Sequence, residues 1–349
     1  MTTEHLLRWF RRQARDLPWR SESRDPYLVL VSEFMLQQTQ VDRVVPMFEA
    51  FVARFPGFGA LAAADEDDVV AAWSGLGYYR RARMLHRLAR EVAARPGGLP
   101  TTARELVELP GIGPYTAAAV ASMAFDEASP VLDGNVMRVG ARVLMMTGDP
   151  RSAAGSKRLA SWVAGLMEEG GPPGAVNEAL MELGARVCSP QNPDCERCPL
   201  AAGCGARAAG RPEDYPPARR RRATVDVRWV AACAVDPEGR WLLRRIEDGP
   251  ILRGLWLPPL GPPADTGDAA EGARQLVDEI AAGAPVIAPL VRHTITHRKI
   301  DIVPVRFEAE RGQQQSEGWR WIDPRDPGVP TSSLLAKLVA SVESLDRDP

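Results

Sequence analysis

From Pro26 to Gln38 the chain reads PYLVLVSEFMLQQ, apolar on nearly every side of a helix, so a buried helix is expected here. Asp25 supplies a cap and Pro26 suits the first helical position, where its missing N–H costs nothing. Thr39 is read as the cap of the next helix. Further apolar stripes at helical spacing mark a helix ending near Trp73, then Tyr78 to Ala94, Thr102 to Leu109 and Pro114 to Phe125. Helices over Val136–Met146, Lys157–Met167 and Asn177–Val187 follow. From Val227 the period changes. WVAACAV and RWLLRRI read as strands, as do the stretches around Val286–Leu290, Ile300–Phe307 and Trp319–Ile322. Helices are expected over Ala269–Ala281 and Ser333–Leu345. The pattern predicts an all-α part followed by a separate α+β part.

Two positions break the apolar pattern in ways that matter chemically. Glu33 falls mid-helix, with Ser32 and Gln37 on the same narrow stripe. A buried carboxylate without a partner has its pKa raised, the state a general acid needs near neutral pH. A half-exposed structural glutamate is the blander alternative. The second is Leu109–Val136, where Pro110-Gly111-Ile112-Gly113 is a turn and Pro114 opens a helix. Two helices joined by such a turn leave N–H groups free at a helix N-terminus, a ready phosphate site. Asp133-Gly134-Asn135 follows closely, and Asp133 is also a plausible N-cap.

Composition narrows the class. With 349 residues the chain is long enough for two cores, and 45% hydrophobic with 25% charged residues is ordinary for a globular protein. No run approaches the roughly 20 apolar residues of a membrane span, and the N-terminus lacks a signal-peptide pattern, so a cytoplasmic protein is expected. A net charge of −2 does not by itself announce nucleic acid. The lysines are Lys157, Lys299 and Lys337, so the basic side chains are overwhelmingly arginine. Cys188, Cys195, Cys198 and Cys204 fall in a C-x6-C-x2-C-x5-C run. Four thiols so close in a cytoplasmic chain point to metal. Structural zinc favours two short knuckles, of which only Cys195–Cys198 is one, whereas an iron–sulfur cluster accepts irregular spacing. Cys233 reads as a strand core residue. The arginine run 219–222 lies in a proline- and arginine-rich linker.

SEFMLQQTQV, GLGYYRRAR, LPGIGPYTAAAV, VLDGNVMRV, NEALMELGARVC and the four-cysteine run occur in an order that resembles the adenine DNA glycosylase family, MutY, within the endonuclease III superfamily. The likeness runs from about Arg15 to Cys204, and the weaker GLWLPP and HTITHRKIDIVPV extend it to the C-terminal part. The resemblance implies a helix-hairpin-helix glycosylase domain over 1–210, in which residues 25–130 form a six-helix module and 1–24 plus 131–210 an iron–sulfur module. A linker over 211–226 and a Nudix-like domain over 227–349 complete it. It also implies that Glu33 is the catalytic acid and Asp133 the catalytic aspartate, stabilising an oxocarbenium ion or trapping it covalently, with Tyr115 and Asn135 in support. Trp19, Arg20 and Glu178 match the adenine pocket, Gln38 and Tyr78 the residues that enter the DNA stack, and Gly111 and Gly113 the phosphate grip. His293, Ile295, Thr296 and His297 match a loop that recognises 8-oxoguanine. The four cysteines match ligands of a 4Fe-4S cluster. The implied partner is duplex DNA carrying adenine opposite 8-oxoguanine or guanine, met by a monomer.

Related bifunctional enzymes place a Schiff-base lysine where Tyr115 stands, and no lysine precedes Lys157, so a glycosylase without efficient lyase activity is expected. The recognition loop departs from the family's usual Phe-Ser-His: Ile295 loses aromatic stacking, while Thr296 keeps a hydroxyl. Arg274-Gln275-Leu276-Val277-Asp278-Glu279 does not supply the acids of a Nudix hydrolase, so pyrophosphate hydrolysis is not expected. The two histidines of His293-Thr294-Ile295-Thr296-His297 are a weak basis for a zinc site, since no cysteine or acid joins them. The rival enzymatic readings are a glycosylase/lyase for oxidised pyrimidines and a thymine-mismatch glycosylase; the non-enzymatic one is a damage-binding module.

Overall fold

The computed structural model describes the chain except residues 1, 21–23, 219–222, 250, 265–266, 278–281, 310–317 and 347–349. Contacts divide it into two compact units, 1–64 with 80–220 and 65–79 with 221–349. The arginine run 219–222 lies outside the described residues. Among the described residues no helix is long and apolar enough to cross a membrane.

Among the described residues twelve α-helices precede the first strand: α1 (Thr2–Gln13), α2 (Pro26–Leu36), α3 (Val41–Arg54), α4 (Phe58–Ala63), α5 (Glu66–Ala72), α6 (Arg80–Ala94), α7 (Ala103–Leu106), α8 (Pro114–Phe125), α9 (Gly134–Val143), α10 (Ala153–Glu168), α11 (Pro173–Arg186) and α12 (Gly205–Ala208). The caps follow the chemistry of the sequence. Asp25 accepts from the Tyr27 N–H, Thr102 from that of Glu105 and Ser152 from that of Gly155. α2 is buried along nearly its whole length, Glu33 included. Alanines 117–119 and 121 on α8 are buried, and such small side chains permit close approach to α2. Leu6 and Leu7 of α1 join Val136, Val139, Leu166, Leu180 and Leu183 in one core, so the N-terminal helix is packed with α9, α10 and α11.

Asn177 on α11 is completely buried and fully used. Its amide donates to Ser122 Oγ (2.8 Å) and Ser129 O (2.9 Å), and its carbonyl accepts from the Val131 N–H (3.0 Å). This ties the segment that leads into Asp133 to both α8 and α11. Gly111, in the turn between α7 and α8, has φ +78°, and an added Cβ would lie 2.8 Å from Met84 Cβ. Gly111→Ala therefore meets both a backbone and a packing penalty. A loss of about 1–3 kcal/mol is expected, read as a lower melting temperature. An unchanged melt would mean that the turn relaxes freely.

In the second unit β1 (Val225–Val235) runs parallel to the long β7 (Arg298–Glu308). The sheet also holds β2 (Trp241–Arg245), β3 (Trp256–Leu257), β4 (Leu260–Gly261), β5 (Ala282–Ile287), β6 (Val291–Ile295) and β8 (Trp319–Ile322). α13 (Ala269–Gln275) covers one face, against Val230, Ala232 and Phe307. α14 (Ser333–Glu343) covers the other, against Ala231, Cys233 and Ile302. Burial on both faces explains why β1 reads as a continuous apolar run rather than an alternating one.

Several expectations need correction. The helix expected from Tyr78 starts at Arg80, because Tyr78 sits in the left-handed region at φ 50°. Thr39 does not cap α3: Gln40 holds that position without a side-chain bond, and Thr39 Oγ1 accepts from Arg81 instead. Gly113 has an ordinary φ of −93° with open space beyond it, so of the two turn glycines only Gly111 needs to be one. The helix expected over Ala269–Ala281 ends at Gln275, with residues 278–281, like part of the stretch inspected for Nudix acids, outside the described residues. His293 and Ile295, expected in a loop, lie on β6; only Thr296 and His297 form its turn to β7.

Candidate active site

A cavity of about 670 Å³ opens in the helical unit, lined among others by Trp19, Arg20, Glu33, Tyr115, Asp133 and Glu178. Asn135 joins that lining. Residues scattered over 160 positions of sequence are thus brought to one place by α2, α8, the N-terminus of α9 and α11.

Glu33 is held there by its helix, 3% exposed. Burial pushes its pKa up to about 7; a hydrogen bond from the Tyr115 hydroxyl opposes the rise, and the negative charges of Asp133 and Glu178 add to it. Its Oε2 is buried and has no partner among the described residues. Tyr115 itself is pushed far above the ordinary tyrosine value, by burial first and by Glu33 second. It is therefore a hydrogen-bond donor at any pH the protein meets.

Asp133 is the N-cap of α9, so the structural and the chemical readings of this residue coexist. Its Oδ1 accepts from the Val136 N–H (2.6 Å) and its Oδ2 from the Asn135 amide (2.9 Å). Burial raises its pKa, against the pull of these donors and of the Arg138 charge. Both carboxyls thus shift upward. The helix N-terminus and its donors favour the charged form of Asp133.

The cavity wall beyond Glu33 is ionic. Arg20 Nε lies 3.1 Å from Glu178, and its Nη2 lies 3.0 Å from Glu182. Arg15 grips Glu182 with two bonds, at 2.8 and 2.9 Å. Burial raises the pKa of Glu182, but Arg15 and Arg20 outweigh it and hold the group below its usual value. Glu178 rises through burial, with Arg20 opposing. Trp19 is buried edge-on to Phe48, ring centres 5.2 Å apart. The sequence reading missed Arg15 and Glu182. A signal existed: Glu182 falls four residues after Glu178, on the same face of α11.

Also missed were two arginines on α9. Arg138 donates to Asn135 Oδ1 (2.9 Å), Gly184 O (2.7 Å) and, through Nε, Cys188 O (2.8 Å). Gly184 is needed for that packing, since a Cβ there would lie 2.6 Å from Cβ of Asn135. Arg142 Nη1 donates to Cys188 Sγ at 3.3 Å.

Cys188, Cys195, Cys198 and Cys204 line a second, small concavity. The pKa of Cys198 is raised to about 11, by burial first, with a backbone hydrogen bond from Leu200 opposing and repulsion from the other three thiols adding to the rise. Among the described residues no three histidines, cysteines or acids converge on a point that would hold a single metal ion, the two histidines of the C-terminal unit included.

Other expected site residues lie outside the cavity. Gln38 follows α2 in the left-handed region, at φ 60°. Tyr78 is exposed and belongs to the second unit. Gly113 caps α8 with no side chain, which leaves the first-turn N–H groups open to an anion. His293, Ile295, Thr296 and His297 form the end of the β6–β7 hairpin, with β-branched Thr296 at φ 57°, a strained conformation.

A model of the HhH-GPD superfamily of base excision DNA repair proteins matches residues 31–164, and one of the NUDIX domain matches residues 230–341. The helical unit is that of an HhH-GPD base excision DNA repair protein. The adenine DNA glycosylase of Mycolicibacterium smegmatis is 44% identical over 208 residues, which cover 59% of this chain and 70% of that protein. That of Mycobacterium tuberculosis is 43% identical over 220 residues, 63% and 72% of the two chains. This chain belongs to the adenine DNA glycosylase family. The human adenine DNA glycosylase is 45% identical over 212 residues, 58% of this chain and 38% of its own length. The chain therefore spans about two fifths of the mammalian relatives it matches. Among solved structures, a thermostable thymine-DNA glycosylase has 29% identity and a TM-score of 0.53, covering 59% of this chain and 95% of its own.

Proposed function

We propose that this protein excises adenine from duplex DNA where it is mispaired with 8-oxoguanine or guanine, by hydrolysing the N-glycosidic bond. One observation carries the reading: a buried glutamic acid with a free oxygen and a pKa of about 7 shares a cavity with an aspartate held by N–H donors. Adenine inside a duplex is out of reach, so it must be flipped into the cavity. Protonated Glu33 gives its proton to N7 of the base. The C1′–N9 bond breaks, and its electron pair leaves with adenine. The sugar becomes an oxocarbenium ion, which the negative charge of Asp133 stabilises. Glu33, now a carboxylate, takes a proton from water as the water oxygen bonds to C1′, and the acid is restored. Tyr115 orients Glu33 through its hydroxyl. Arg20 and Glu178 offer paired donors and acceptors for the base edge, and Trp19 an apolar wall.

DNA is gripped by the open N–H groups at the start of α8, while Gln38 and Tyr78 enter the stack. Both have positive φ, a strain that a rigid surrounding turn must hold. The hairpin end Ile295-Thr296-His297 reads 8-oxoguanine, with Ile295 as an aliphatic wedge and the Thr296 hydroxyl as hydrogen-bonding group. In this reading the catalytic helical domain is residues 1–210, the linker 211–226 and the Nudix-like domain 227–349. Cys188, Cys195, Cys198 and Cys204 hold a 4Fe-4S cluster. The donor set fits: four thiols line one concavity and repel one another as thiolates. When bound, the cluster supplies cross-linking of the Cys188–Cys204 loop and one-electron redox capacity.

The test is single-turnover excision on duplexes with adenine opposite 8-oxoguanine, adenine opposite guanine, and thymine opposite guanine. Release of adenine from the first two is expected. Release of thymine alone would replace this reading with that of the thymine-specific relative. Because Tyr115 cannot form a Schiff base, borohydride should trap no strong covalent adduct on abasic DNA; an abundant adduct would show lyase chemistry.

A further inference from the structure

Arg142, near the end of α9, is 2% exposed and makes four directed bonds. Nη1 donates to Cys188 Sγ (3.3 Å) and Ser189 O (2.7 Å), Nη2 to Pro190 O (2.9 Å) and Nε to Tyr215 O (3.0 Å). No carboxylate pairs with it among the described residues. A guanidinium taken out of water is costly unless negative charge meets it. Within its bonding set only the sulfur of Cys188 can carry a formal charge. The three carbonyl bonds fix the fork in place, so it cannot turn away from that sulfur. Arg138 differs, for it reaches the carbonyl of Cys188 and not the sulfur.

We propose that Arg142 tunes the reduction potential of the metal group bound by the four cysteines, holding it in its more electron-rich state through an N–H···S bond and an otherwise unneutralised buried charge. This rests on the reading that the cysteines bind a 4Fe-4S cluster. Four thiolates give such a cluster net negative charge, and each added electron increases it. A fixed positive charge and a hydrogen bond to a ligand sulfur stabilise the reduced member of a one-electron couple more than the oxidised one, which raises the potential. Arg142 also spans the Cys188 side of the six-residue insertion, bracing Ser189 and Pro190, so it slows opening of the loop toward oxidants.

The experiment uses the full chain, purified anaerobically, as the parent, R142K and R142Q. Iron content and visible absorbance are measured first, then the midpoint potential by voltammetry at an electrode, then the rate of bleaching by ferricyanide, which takes an electron from the cluster. Expected is a potential that falls from parent to R142K, which keeps the charge but not the fork, and further to R142Q, with bleaching several-fold faster in R142Q. Should R142Q retain no cluster, R142K decides, and a parent-like potential and bleaching rate in R142K overturn the role of Arg142. Unmoved potentials in both iron-loaded variants overturn it equally. An iron-free parent overturns the cluster reading itself and the inference with it, a result distinct from either.

Discussion

Glu33→Gln is expected to lower single-turnover excision of adenine by about 10²–10⁴-fold at neutral pH, because the amide fills the same space but cannot protonate the base. The parent rate should fall as pH rises through about 7, where Glu33 loses its proton. The same shift predicts an effect on stability of known sign. The folded protein keeps the Glu33 proton up to about 7, while the unfolded chain releases it near the ordinary glutamate value of 4.5. Between these values the native state binds more protons, so stability falls as pH rises through the window. Above it the penalty is about 3 kcal/mol, from 1.36 kcal/mol per pKa unit. Glu33→Gln removes that penalty. The variant should melt above the parent at about pH 8 and level with it at about pH 4. Excision by Glu33→Gln at the parental rate would end the acid assignment, and a pH-independent difference in melting would end the linkage argument.

Asp133→Asn is expected to lower excision by about 10²–10³-fold, the scale of removing one electrostatic partner from a charged transition state. Its fold should be nearly intact. Asparagine is as good an N-cap as aspartate, so the bond from the Val136 N–H survives. Asp133→Ala loses the cap as well, worth about 1 kcal/mol, and should melt lower than Asp133→Asn. Comparing the two separates the helix-capping role from the charge. If Asp133→Asn excised within a few-fold of the parent, the carboxylate would be a cap and nothing more. If both variants melted alike, the cap would be unimportant.

Local chemistry made much of this legible in the sequence. Asp25-Pro26, Thr102 and Gly113-Pro114 mark helix starts with their own side chains or rings, and α2, α7 and α8 begin where those residues dictate. Glu33 could be singled out because a lone carboxylate in an apolar helix has no local partner. Arg15, Glu182, Arg138 and Arg142 could not be found in this way. Their partners lie up to 167 residues away, and an arginine on an amphipathic helix reads as solvated until its acceptors arrive. The same limit hid Asn177, whose three bonds all reach 46 residues or more. Tyr78 defeated the helical pattern because a left-handed residue after Gly77 is imposed by the turn and not by any side-chain preference.

The unpartnered oxygen of Glu33 also bears on engineering. A buried acid that satisfies only part of its bonding capacity is a standing weakness, which the proposed mechanism explains by adenine's need for its proton. Replacing it removes the weakness and the chemistry together. A library of this protein ranked by heat resistance in alkaline buffer alone would therefore enrich substitutions at position 33 and return inert proteins. Any search for a hardier variant has to score base release in parallel, or hold position 33 fixed and gain stability elsewhere.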